Sequence, residues 1–137
     1  VKLVTICYGA NDASTRANNA MWRFVPLAEY KANLIQTVEG FRSRQPAPMV
    51  VLLTPPPAAS PPRVDRRLEV TAEYAEAVRQ IGRTLTVPVV DLFQEIVSVP
   101  GWQTQVMLRD GLHLNPAGQQ LMFGAVLPTV REALQDV

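Results

Sequence analysis

The sequence predicts an α/β fold built on a parallel sheet, from three features. Short apolar runs rich in β-branched residues recur at positions 1–8, 49–54 and 87–92. Longer segments with apolar residues at three- and four-residue steps separate them, and the first run ends in turn-forming polar residues. The resulting order β-α-β-α-β-α implies right-handed crossovers, helices on both faces of the sheet, and chemistry at the carboxyl ends of the strands.

Taken in order, Val1 to Tyr8 reads as a strand that delivers a loop containing Gly9, Asn11 and Asp12. Pro26 suits a first helical position, and Leu27, Tyr30, Leu34, Val38 and Phe41 make one helical stripe. Pro46 and Pro48 end that segment, and Met49 to Thr54 is a continuous apolar run that suits a strand covered on both faces. Pro55 to Arg67 holds five of the twelve prolines and three arginines, Arg63, Arg66 and Arg67. It reads as a stiff loop whose arginines are solvated, with contact to a substrate as the other reading. In Leu68 to Leu85, Tyr74, Val78, Ile81 and Leu85 form a second stripe, with Glu73, Glu76, Arg79 and Arg83 on the wet side. Val87 to Leu92 predicts a third strand with Pro88 at its start, and a loop through Pro100, Gly101 and Trp102 follows. Asn115 can cap, and Pro116 can start, a last helix running to about Leu134. Pro128 inside it predicts a kink or short break near Gly124 to Pro128.

With 137 residues, 47% of them hydrophobic, the chain suits one domain with a single core, spanning 1–137, and no internal repeat. Thirteen basic residues nearly balance twelve acidic ones without any run of like charges, so nothing calls for nucleic acid. The apolar stretches Met49 to Leu53 and Leu121 to Leu127 fall short of the ~20 residues of a membrane-spanning helix. A single cysteine, Cys7, forms no internal disulfide, which makes a reducing compartment such as the cytoplasm the default expectation. The chain opens at Val1 directly in a strand, as though an upstream part were absent. Three strands are few for this architecture, and the edge at Leu3 to Tyr8 would invite self-association into a homo-oligomer.

Two motifs can carry chemistry. The only histidine stands in Asp110-Gly-Leu-His113. A carboxylate beside an imidazole accepts the Nδ1 hydrogen and stabilises the imidazolium formed when Nε2 takes a proton. The same spacing also suits a plain turn capped by Asp110, with His113 on the surface. In Gly9-Ala-Asn11-Asp12, the glycine permits a tight turn, Asn11 offers amide hydrogens to an oxyanion, and Asp12 can hold the loop through backbone hydrogen bonds. A turn without a chemical task is again the alternative. Loops at the carboxyl ends of parallel strands share one edge, so the two motifs can converge.

Gly9-x-Asn11-Asp12 resembles the third signature block of the SGNH (GDSL-type) hydrolases, and Asp110-x-x-His113 resembles their fifth. Tyr8 to Ala13, Val25-Pro26-Leu27, Val87-Pro88-Val89 and Asp110 to Leu114 look most like the isoamyl acetate-hydrolysing esterase branch, with nearly the whole chain laid onto its carboxyl-terminal two-thirds. The resemblance implies a flavodoxin-like three-layer α/β/α sandwich and serine-dependent hydrolysis of small acyl esters, with neither metal nor cofactor. It also implies His113 as general base and acid, Asp110 as its orienting partner, and Asn11 as a donor to the oxyanion.

The Gly-Asp-Ser block of that family does not occur in this chain, so its nucleophile is expected upstream of Val1. Ser14, Ser43, Ser60 and Ser98 each lack a preceding Gly-Asp pair after an apolar strand. Ser14 reads as a loop hydrogen-bonder and Cys7 as a small buried hydrophobe. Trp102 and Met107 read as loop packing, with an acyl pocket as the other role. Two further functions compete with ester hydrolysis. One is a non-catalytic domain of this fold that binds a partner or small acyl compound. The other is a metal-dependent phosphoesterase using Asn11, Asp12, Asp110 and His113, for which one imidazole and scattered carboxylates supply few ligands.

Overall fold

A computed structural model of the chain describes residues 1–15, 24–59 and 65–135. Strands β1 (Leu3–Ile6), β2 (Met49–Leu53) and β3 (Val89–Val90) form one parallel sheet in the order β1-β2-β3. Leu3 to Ile6 pair in register with Met49 to Leu52, and Leu52 and Leu53 pair with Val89 and Val90. Five helices complete the described chain: α1 (Leu27–Arg42), α2 (Leu68–Leu85), α3 (Leu92–Val97), α4 (Trp102–Gln105) and α5 (Pro116–Gln135).

The layers follow from the twofold alternation of side chains along each strand. Ile6, Val50 and Leu52 face one side and pack with Leu34 and Val38 of α1 and with Tyr74, Val78 and Ile81 of α2. Val51, Leu53 and Val90 face the other side, against Met122, Val126 and Ala133 of α5. The molecule is therefore the expected α/β/α sandwich with a parallel sheet. β2 is covered on both faces, which explains why its sequence is apolar throughout. Close approach of α2 to β3 depends on Gly82, where an added Cβ would lie 2.2 Å from Val89 Cγ2. A third cluster, of Ala59, Ile96, Trp102, Val106 and Met107, seats the loops that follow β2 and α3. Trp102 and Met107 thus serve as packing residues.

Four details differ from the sequence reading. The third strand is only two residues long, because Asp91 turns the chain at once into α3: its Oδ1 accepts the Gln94 N–H at 3.2 Å. The expected loop after it contains a second short helix, α4, entered through Gly101 at φ +68°. α5 runs unbroken through Pro128. Gly124 and Pro128 are both exposed there, so water can reach the carbonyl that loses its donor. Cys7, expected to be buried, is exposed: it follows the edge strand β1 on the side where Thr5, two residues earlier, is exposed too. Its Sγ leans on the Thr54 carbonyl at 4.0 Å, and desolvation raises the thiol pKa, which disfavours the thiolate.

Among the described residues β1 has no strand on its far side, and no helix is long and apolar enough to cross a membrane. Leu52 is fully buried at the centre of the sheet. Leu52→Ala should cost about 2–5 kcal/mol of unfolding free energy in urea titrations, whereas Phe123→Ala, at an exposed position, should change it by less than about 0.5 kcal/mol.

Candidate active site

The loop after β1 is a tight turn whose backbone supplies its own hydrogen bonds. Ala13 N–H donates to Gly9 O at 2.9 Å and Ser14 N–H to Asn11 O at 3.1 Å. Asp12 Oδ2 accepts the Gly9 N–H at 3.1 Å, so this carboxylate ties the turn together. Gly9 has φ +117°, and a Cβ there would meet Pro55 Cγ and Tyr30 Oη at 3.1 Å, so both backbone conformation and space require glycine. The buried Tyr30 hydroxyl donates to Tyr8 O at 3.1 Å; burial, and then the nearby Asp12 charge, raise its pKa and keep it a neutral donor.

Asp110 and His113 sit in a second turn, closed by the Met107–Leu114 bridge and by Leu108 N–H donating to His113 O at 2.7 Å. His113 Nδ1 lies 2.5 Å from Asp110 Oδ2. The other carboxylate oxygen accepts the backbone N–H groups of Leu112 at 2.9 Å and His113 at 3.0 Å. The hydrogen bond from the His113 ring, followed by these backbone bonds, holds the Asp110 pKa well below the usual carboxylate range. Asp110 thus stays ionised and fixes the ring, while Nε2 of the largely exposed His113 has no partner among the described residues. Asn115 secures the far end of the turn. Its Oδ1 accepts the Gly118 N–H at the start of α5, and its Nδ2 donates to the Gln105 and Met107 carbonyls.

Among the described residues no hydrogen bond joins the two turns, but both contact the segment leaving β2. Pro55 lies against Gly9, and Ala59 N–H donates to Gly111 O at 2.8 Å. Thr15 N–H also donates to Asp65 O at 2.7 Å, joining the first turn to the approach of α2.

Arg66 differs most from its sequence reading as a solvated loop residue: it is fully buried. Its Nε donates to Ala10 O at 2.8 Å, its Nη2 to Asn11 Oδ1 at 2.7 Å, and Nη1 pairs with Asp65. A buried charge persists only with partners of this kind. Nothing in the sequence separates Arg66 from the exposed Arg67 beside it. Ser14 is also buried, and its Oγ has no partner among the described residues; the loop is held by its backbone N–H instead. The hydroxyls of Ser43 and Ser98 donate to helix carbonyls, of Gly40 and Gln94. Ser60 and Arg63 lie outside the described residues. Among the described residues no three His, Cys, Asp or Glu side chains are grouped to hold a metal ion.

Residues 1–121 match the GDSL-like Lipase/Acylhydrolase family. The chain belongs to that family. Among curated GDSL-type relatives, it is 33% identical over 141 residues to a GDSL esterase/lipase of Arabidopsis thaliana, covering 94% of this chain and 58% of the plant protein. It is 35% identical over 145 residues to the mouse (Mus musculus) isoamyl acetate-hydrolyzing esterase 1 homolog, covering 98% of this chain and 57% of that protein. Among solved structures, the lipase/acylhydrolase of Enterococcus faecalis superposes with a TM-score of 0.82 at 27% identity, covering 96% of this chain and 62% of that one. The GDSL-family fold expected from the two motifs is thus shown. The chain spans a little under three-fifths of the length of these curated relatives.

Because Asp110 has a lower pKa folded than its ordinary value of 3.8, its ionised form stabilises the fold above that value, and the gain fades as pH falls toward the folded value. Exposure of the pair limits the gain to under about 1 kcal/mol. Urea titrations at about pH 6 and pH 2.5 should show Asp110→Asn losing less stability on acidification than the parent. Equal losses would mean that the carboxylate makes no folded-state contact of consequence.

Proposed function

We propose that the protein is a carboxylic ester hydrolase acting on small acyl esters, through His113, Asp110 and Asn11. The observation that carries this reading is the Asp110–His113 pair: an ionised carboxylate on Nδ1, held by two backbone N–H groups, with Nε2 left open to solvent. That arrangement suits an imidazole that must take a proton from a hydroxyl and return it to a leaving alcohol. The names of the relatives, isoamyl acetate-hydrolyzing esterase homologues among them, support small acyl esters as the substrate class.

In this mechanism His113 Nε2 removes the proton of a serine hydroxyl as that oxygen attacks the ester carbonyl. The Asn11 amide donates to the oxyanion of the tetrahedral intermediate, while Gly9 and Asp12 hold the turn that carries it. Protonated His113 then gives its proton to the departing alcohol, and water, activated by the same imidazole, releases the acid. The 137 residues contain no Gly-Asp-Ser block, so the serine is assigned to sequence outside them, and this chain alone is expected to be inactive. A cytoplasmic location belongs to the same proposal. In the full-length protein, His113→Ala should lower kcat for p-nitrophenyl acetate at least ~1,000-fold, and Asn11→Ala by about 100–1,000-fold. Full activity in His113→Ala would defeat the assignment.

The absence of that block from these residues favours one second reading, a domain of the same fold that binds a partner or acyl compound without catalysis. A fluorophosphonate probe separates the two. Labelling of a serine outside residues 1–137 supports the hydrolase, and no labelling of the full-length protein supports the binding domain. The edge of β1, unpaired among the described residues, is further proposed as a self-association surface of the 137-residue chain. Sedimentation should show dimers or larger species at micromolar concentration, and a clean monomer would rule that edge out.

A further inference from the structure

The buried guanidinium of Arg66 is not used in the mechanism above, yet it touches the turn that carries Asn11 at two points, the Ala10 carbonyl and the Asn11 side-chain oxygen. Guanidinium nitrogens only donate, so Nη2 must face the oxygen end of the Asn11 amide, and the bond at 2.7 Å settles which way that amide is flipped. Oδ1 points inward to the cation. Nδ2, with both hydrogens, points away from it and donates to nothing among the described residues. Asn11 itself is exposed, so without this bond its amide would be free to rotate in water. A positive charge on the carbonyl end also draws electron density across the amide and strengthens the N–H groups as donors.

The neighbouring contacts make this a built arrangement. Asp65 pairs with Nη1 of Arg66 and, through its carbonyl, accepts the Thr15 N–H at 2.7 Å. The residue pair 65–66 therefore holds the turn after β1 at both ends, Ala10 and Thr15, with the Asn11 amide between them.

We propose that Arg66 is a positioning residue that orients the Asn11 amide and raises its strength as an oxyanion donor. The proposal rests on the reading of Asn11 as that donor. It predicts that Arg66 acts on the rate of the chemical step and does so through Asn11.

A double-mutant cycle in the full-length protein tests it, with p-nitrophenyl acetate as substrate. Arg66→Gln should lower kcat about 10–100-fold while KM changes less than about threefold, because the lost interaction matters only once negative charge develops on the carbonyl oxygen. In the Asn11→Ala background the same substitution should change kcat less than about twofold. Equal losses in both backgrounds would give Arg66 a merely structural role and overturn the proposal while leaving Asn11 in place. No loss in Asn11→Ala itself would remove the oxyanion reading, and this proposal with it. Arg66→Lys keeps the charge but has no planar fork to reach both oxygens, so it should recover only part of the loss.

Should Arg66→Gln fail to fold, the side-chain amide of Asn11 in the full-length wild-type protein carries the test by NMR. Its Cγ resonance should lie downfield of free asparagine, and the buried Arg66 Nη2 hydrogens should exchange slowly with water, as expected for an amide held at its oxygen by the guanidinium. An Asn11 Cγ shift at the free value, with guanidinium hydrogens exchanging as in free arginine, would overturn the assignment.

Discussion

β2 is the element on which the rest of the molecule depends. It is the only strand paired on both sides among the described residues, and the side chains of Val51 and Leu52 are fully buried on its two faces. Burial of this kind contributes roughly 1.5–3 kcal/mol for each such side chain, and it can be realised only if helices cover both faces at once. The sandwich follows from that requirement. So does the site, because the segment leaving the carboxyl end of β2 is what both motif turns rest on, Gly9 against Pro55 and Gly111 on the Ala59 N–H.

The charges divide into two kinds of work. Arg66 is buried and acts on backbone and side-chain oxygens of one turn, where low dielectric makes its hydrogen bonds strong and its loss costly. The Asp110–His113 pair stands at the surface, where water screens it and limits what it adds to stability. Between these extremes, Arg79 grips Asp91 with two bonds, Nε to Oδ2 at 2.8 Å and Nη2 to Oδ1 at 3.0 Å. Partial burial opposes ionisation of Asp91, but Arg79, the Gln94 N–H and Thr54 outweigh it, and the pKa is lowered. Thr54 links this clamp to β2, donating to Asp91 and accepting the Phe93 N–H. Asp91 thus joins α2, the end of β2 and the start of α3, which is why β3 stops after two residues.

The motif elements were readable because their chemistry is local. Asp110 reaches the Leu112 and His113 N–H groups, Asp12 reaches Gly9, and Asn115 caps α5, each across no more than three residues. The helical stripes of α1 and α2 were likewise visible, since a threefold and fourfold recurrence of apolar residues needs no partner to be seen. Arg66 escaped for the opposite reason. Its partners Ala10 and Asn11 stand 56 and 55 residues away, and an arginine in a proline-rich loop has no local signature of burial. Pro128 leaves α5 unbroken for a reason that is likewise not local, because the helix is held by packing on the sheet and an exposed face leaves water to serve the freed carbonyl.

What the sequence by itself determined is the order of the three strands and the three long helices, the sheet faces to be covered, and the residue types available at each strand end. Periodicity and turn chemistry act over a few residues, and they survive being read one segment at a time. What only the tertiary structure decided is which loop residues become buried, which arginine of the proline-rich loop gains partners in the turn after β1, and which way the Asn11 amide points. Those outcomes depend on contacts between segments far apart in the chain, where desolvation and the single-signed hydrogen bonding of a guanidinium select one arrangement.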